Sequence, residues 1–241
     1  MKNKLYTTGA GFPPAPFFVL RPLFILMFIV LFFTTVSAQE RYDWRWDLGY
    51  GIPNAYSYCS TIDFCGDSIC EIRERKDLYH FCLENSITYT RVAGDSILFH
   101  TNGYRIYDKY YTMMEGGSAI VDNPDNHGLQ FSQSMIVLPY PGHEDQYFFM
   151  VENPRYFYGE GWLVRFGMYK GIINMSANGG LGRVIDREII TRDSFTIGNI
   201  VATRHANGRD WWILKPERPS LGRVFTYLLD PGGLHFEGYQ Q

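Results

Sequence analysis

Past Gln39 the chain has no amphipathic helix, no basic stripe with interleaved aromatics and no paired C-x-x-C. Each absence removes a class of function. Without clustered Lys and Arg nothing would neutralise a phosphate backbone, so nucleic acid is not an expected partner. The four cysteines, Cys59, Cys65, Cys70 and Cys82, have spacings of six, five and twelve, and His80 alone does not complete a zinc pattern around them. No Ser or Cys nucleophile motif accompanies any of the six histidines. Gly179-Gly180-Leu181-Gly182 lacks a following Lys-Ser/Thr and lies between predicted strands, so it reads as a hairpin turn and not a phosphate loop. Asp122–Gly128 is polar, but it lacks the alternating acids of a calcium loop and reads as a solvated connection. These residues name no catalytic, cofactor-binding or metal-binding side chain, and no cofactor is expected.

Acids are missing from the first 38 residues, which hold Lys2, Lys4 and Arg21. Their three positive charges leave the remainder at a formal −6, against −3 for the whole chain. Leu23–Phe33 is an unbroken apolar run of 11 residues, followed by Thr34-Thr35 and then Val36-Ser37-Ala38. A basic start, a short apolar stretch and small residues at a cut define a secretory leader, with cleavage expected between Ala38 and Gln39. The alternative is an uncleaved anchor over residues 17–38, long enough to cross roughly 30 Å of hydrocarbon. Either way, the basic side stays in the cytoplasm and the rest is exported.

What is abundant is aromatic: 18 Tyr and 18 Phe, side chains that favour half-buried pleated surfaces. Short alternating runs predict strands at Ser86–Arg91, Ser96–Thr101, Tyr104–Tyr107, Met135–Pro139, Gln146–Glu152, Trp162–Tyr169, Ile200–His205, Asp210–Leu214 and Arg223–Leu229. Turn signals separate them, including Asn102-Gly103, Pro141-Gly142, Asn207-Gly208 and Pro231-Gly232-Gly233. Asn-Gly predicts a tight hairpin with both central residues at positive φ.

One strand-hairpin unit occurs twice. Asp145-Gln146-Tyr147-Phe148-Phe149-Met150-Val151-Glu152-Asn153-Pro154 is echoed by Asp210-Trp211-Trp212-Ile213-Leu214-Lys215-Pro216-Glu217. A second apolar strand follows each, Gly161–Phe166 in one copy and Gly222–Leu228 in the other. A recurrence of about 60 residues built from strands predicts stacked or radial β units, in an all-β chain.

Four segments carry a resemblance. They are Asp95-Ser96-Ile97-Leu98-Phe99-His100-Thr101-Asn102-Gly103, Met135-Ile136-Val137-Leu138-Pro139-Tyr140-Pro141-Gly142, Asn174–Gly182, and Thr203-Arg204-His205-Ala206-Asn207-Gly208-Arg209-Asp210-Trp211-Trp212. In this order they resemble the N-terminal β-propeller region of Bacteroidetes secreted proteins, the gliding-motility-associated or type IX secretion substrates. The resemblance covers about residues 42–236. It implies a WD/YVTN-like propeller, here incomplete, with about three to four blades at roughly 45–60 residues each. Residues 1–38 would be the leader or anchor, 39–85 a Cys-containing segment entering the first blade, and 86–241 the partial propeller.

In an exported chain four clustered cysteines predict two disulfides that pin a loop-rich segment, with three pairings open. His205, Asn207, Gly208, Asp210, Trp211 and Trp212 form the expected structural motif, its histidine buried and tying the hairpin to a neighbouring strand. The expected function is a non-catalytic binding or structural module at the bacterial cell surface, with protein or polysaccharide as partner and membrane contact only through the N-terminal segment. The alternatives are a membrane-anchored surface protein, or a propeller-fold carbohydrate-active or other hydrolase. Such a hydrolase would need carboxylates such as Glu144, Asp145 and Glu152 to converge in pairs.

Overall fold

Four antiparallel meanders follow one another along the chain. The computed structural model describes residues 44–52, 55–65, 68–75, 86–91, 96–122, 129, 132–155, 165–192, 195, 198–217 and 222–241, all within one unit, Arg41–Gln241. The first sheet is β1 (Arg45–Ile52), β2 (Ala55–Cys65) and β3 (Ser68–Arg75). The second is β4 (Ile87–Thr90), β5 (Ile97–Thr101) and β6 (Ile106–Asp108). The third is β7 (Met135–Pro139), β8 (Gln146–Arg155), β9 (Arg165–Asn174) and β10 (Arg183–Thr191). The fourth is β11 (Val201–Arg204), β12 (Trp211–Pro216), β13 (Val224–Asp230) and β14 (Gly233–Gln240). Among the described residues there is no α-helix, and Asn178–Gly180 forms a single 3-10 turn.

The echoed segments occupy matching places. β8 and β12 are each the second strand of a four-stranded sheet, and β9 and β13 are each the third. Within β8, successive side chains point to opposite faces. Phe149 and Val151, with half-buried Tyr147, join Tyr89, Phe99 and Ile106 of the second sheet in one core. Tyr147 meets Tyr89 and Phe99 edge-on at ring separations of 4.6 and 5.3 Å, a geometry that adds to their area burial. Phe148 and Met150 join Ile213, Phe225, Tyr227 and Leu229 of the fourth sheet in a second core. The third sheet is therefore buried on both faces. Gly171 lies opposite Phe149 in the register, and a Cβ there would overlap the Phe149 ring. The glycine is what lets that ring lie flat across β9.

The connections stitch neighbouring sheets together. After β6 the chain reaches the edge of the third sheet, where Glu115 forms a parallel bridge with Arg183 and an ion pair at 2.9 Å. After β10, Phe195 bridges to Glu217 at the end of β12.

The predicted strands all have counterparts, with ends shifted by a few residues. Residues 161–164, the start of one predicted strand, lie outside the described set, as do the leader at 1–38, the Ala38–Gln39 cut, Cys82 and residues 123–128. Three differences have physical causes. Arg45–Ile52, Ala55–Cys65 and Ser68–Arg75 are strands where a loop-rich segment was expected, because their inward face is polar and masks the usual alternation. β10 went unpredicted because Asp186, at φ 52°, sits in a register shift between Ile185 and Glu188 that breaks its period. β14 was hidden by its polar edge position and by the shift opposite Thr226–Tyr227.

Phe149→Ala removes a fully buried ring beside a glycine that cannot fill the void. The expected loss is about 3–5 kcal/mol, read from urea unfolding, whereas Phe236→Ala at an exposed position should cost well under half of that.

Candidate functional site

Two polar clusters lie between sheets. The first joins β8 to β12. Along β8 the inward positions facing the fourth sheet run Phe148, Met150, Glu152, and along β12 they run Trp211, Ile213, Lys215. The Glu152 and Lys215 side chains are both wholly buried and form an ion pair. The Lys215 ammonium also donates to the Gly198 carbonyl, and the Gly198 N–H donates to the second Glu152 oxygen at 3.0 Å. Gly198 has φ 68°, and a Cβ would strike the Ser132 carbonyl oxygen, so no other residue fits without strain. The Ile200 N–H donates to the Gln133 carbonyl at 3.0 Å and holds this segment against the third sheet.

Burial pushes the Glu152 carboxyl up from its ordinary value, and Lys215, Gly198 and Ser134 offset only part of that. Burial likewise pushes Lys215 down, against the opposing pull of Glu152. Both Glu152 oxygens accept from protein donors, the Lys215 ammonium donates to Glu152 and to the Gly198 carbonyl, and neither side chain is exposed to solvent. Its chemistry is a lock between sheets.

The second cluster joins the first sheet to the second. Asp47 on β1 is buried and accepts from the Thr61 hydroxyl at 2.7 Å, the Thr88 hydroxyl at 3.1 Å and the Tyr111 hydroxyl at 3.3 Å. Tyr111 sits at φ 62° in the turn after β6, where the Asp108 carboxylate accepts from the Tyr110 and Thr112 N–H groups. That left-handed turn aims the phenol at the first sheet. Burial, and then the Asp47 charge, raise its pKa. Arg75 lies over the Tyr111 ring at 5.2 Å, and buried His100 stacks on Tyr107 at 4.9 Å and meets Tyr111 at a tilt at 4.4 Å. Beside it, Asp63 is held between Arg45 and Arg73. Burial alone would raise the Asp63 pKa, but those two hydrogen-bonded guanidinium groups outweigh it and bring the carboxyl down.

The predicted structural motif assembles, with a different division of labour. Asn207 Oδ1 accepts from the Arg209 and Asp210 N–H groups, each at 3.0 Å, and its amide donates to Asp210 at 2.6 Å. Only Gly208 takes a positive φ, 74°, because the His205–Asp210 pair closes a four-residue loop instead of a two-residue one. Asn102 makes the same pair of bonds, to the Tyr104 and Arg105 N–H groups, beside Gly103 at φ 80°. His205 is half-buried, its ring nitrogen accepts from the Asn207 N–H, and the ring leans on Trp212 of its own hairpin. A tie to the neighbouring sheet is made by Trp211, whose indole N–H donates to the Pro139 carbonyl at 3.2 Å.

Of the cysteines, Cys65 and Cys70 form a disulfide with Cα atoms 5.6 Å apart, clipping the β2–β3 turn. Cys59 lies on β2, but its side chain, like the whole of Cys82, is outside the described residues, so the second expected bridge is too. Among the carboxylates weighed for hydrolysis, Glu144 and Asp145 stand in the turn before β8, while Glu152 is seven residues further along it, roughly 23 Å at 3.3 Å per residue. Glu152 therefore does not pair with either. Among the described residues no group of three or more His, Cys, Asp or Glu could hold a metal ion, and no helix is long and apolar enough to cross a membrane.

Sequence reasoning missed Lys215, Gly198 and Asp47. The legible signal was a charge at an inward parity position, as in Trp211-x-Ile213-x-Lys215 and Phe148-x-Met150-x-Glu152. No protein-family model, curated protein or solved structure matches this chain.

Lys215→Met leaves the Glu152 charge buried without its cation, at an expected cost of about 3–5 kcal/mol near neutral pH. With its carboxyl raised further, the folded state holds a proton that the unfolded chain releases. Stability of this variant should therefore fall as pH rises from the ordinary carboxyl range, about 4.5, towards 7, and recover on acidification. Denaturant midpoints across that range provide the check, and a Glu152→Met/Lys215→Met double variant should lose the pH dependence.

Proposed function

We propose that this chain is an exported, non-catalytic β-propeller module, a segment of the Bacteroidetes secreted type, that binds protein or polysaccharide at the cell surface. The observation that carries it is the matching placement of the two echoed segments, each the second strand of successive four-stranded sheets. Propeller blades are four-stranded antiparallel meanders repeated in chain order, with neighbouring blades packed face to face. The four motif segments support the same family, and the leader-like residues 1–38 support export with removal before Gln39.

The charged groups support a scaffold. Glu152, Lys215 and Asp47 are spent on ties between sheets, and the recurrent Asn-Gly turns are spent on hairpins. Recognition then falls to loops and to exposed aromatics such as Tyr110, Phe236 and Tyr239.

Expression in a Bacteroidetes host should yield an extracellular protein whose first residue is Gln39 by N-terminal sequencing. That protein should adhere to washed cells, and loss of adhesion after periodate would mark a polysaccharide partner, after protease a protein partner. An experimental structure should place the sheets around a common axis. Retention of residues 1–38 in the membrane, or release of sugar from cell-surface glycans, would overturn the reading.

A further inference from the structure

The first sheet is built the opposite way round from an ordinary sheet on a core. In register, Arg45, Asp63 and Glu71 stand side by side, as do Asp47, Thr61 and Arg73, and this polar face is the one turned towards the second sheet. The other face carries the row Trp46, Ile62 and Ile72, with Leu48 next to it and Phe64 opposite Ile69. These are large apolar side chains in solvent: Trp46 and Leu48 are each 46% exposed, Ile69 54% and Ile72 64%. Trp46 and Phe64 already meet edge to face at 5.0 Å, which makes the patch continuous. Contiguous apolar surface of this kind marks an interaction site.

The far end of the stack supplies a matching face. β12 and β13 turn Ile213, Phe225, Tyr227 and Leu229 to the third sheet. Their alternate residues, half-buried Trp212, Leu214, Val224 and Leu228 around buried Thr226, together with Val201 at 43% exposure, form the opposite face. Inside the chain the second, third and fourth sheets lay apolar faces on one another, and the third and fourth are also tied by the Glu152–Lys215 pair.

We propose that a second copy of this chain lays the outer face of its fourth sheet on the outer face of the first sheet, continuing the stack head to tail. The interface repeats the apolar sheet-on-sheet contact that already joins the third and fourth sheets. It covers the only inverted sheet face in the described stack. Being heterologous, it closes into a ring if the rotation allows and otherwise grows into longer assemblies. It depends on sheet stacking and is independent of export and of the surface partner.

Sedimentation of the purified protein tests this. The wild type should associate reversibly with rising concentration. Ile72→Lys and Val201→Lys place a charge on opposite end faces at exposed sites, so both should keep the wild-type thermal transition while weakening self-association about tenfold or more. Mixed together, the two variants should pair one to one and stop, because each retains the face the other has lost. A wild type that stays monomeric would overturn the proposal. So would a Val201→Lys protein that still dimerises, since that is pairing of two first sheets, or variants that do not pair on mixing.

Discussion

Everything in this fold depends on β8 being covered from both sides. A strand whose odd and even positions are both apolar cannot lie on a surface, so the chain must supply a sheet in front of it and another behind it. Phe149 and Val151 draw in the second sheet, and Phe148 and Met150 draw in the fourth. Gly171 then follows as the concession β9 makes to the Phe149 ring. One strand thus organises three of the four sheets.

The interfaces on either side of that strand differ in what they specify. Apolar faces attract without direction, so by themselves they tolerate sliding. The buried Glu152–Lys215 pair has a direction, because its oxygens and protons are satisfied only when Gly198 lies between the strands. Such a pair adds little net stability against an apolar replacement, and register is the role that fits it here. Between the first and second sheets the proportions reverse: Asp47, Thr61, Thr88 and Tyr111 set the contact, and few apolar groups support it.

Much of this was legible in the residues. The all-β class followed from the short alternating runs, and the echoed Asp145 and Asp210 segments sit in equivalent strands as their likeness implied. The turn at Asn178-Gly179-Gly180 is a hairpin connection, as its lack of a following Lys-Ser/Thr indicated. The first sheet was missed because its buried face is charged, so a pattern that equates apolar with inside reads it backwards. The reach of Trp211 to Pro139 was not foreseen, because spacing places a side chain on a hairpin without showing which carbonyl lies across the gap. Gly198 could not be found at all, since a lone glycine carries no sign of the distant lysine that needs its carbonyl.

Sheets that neighbour one another in space also neighbour one another in the chain. Each meander pairs its own strands before the next begins, and among the described residues each sheet packs on the one just before or after it. Contacts of that kind close small loops and reward the chain early. A polypeptide threaded outwards from its N-terminus could therefore fold sheet upon sheet as it emerges, each newly delivered meander finding a finished surface already waiting for it.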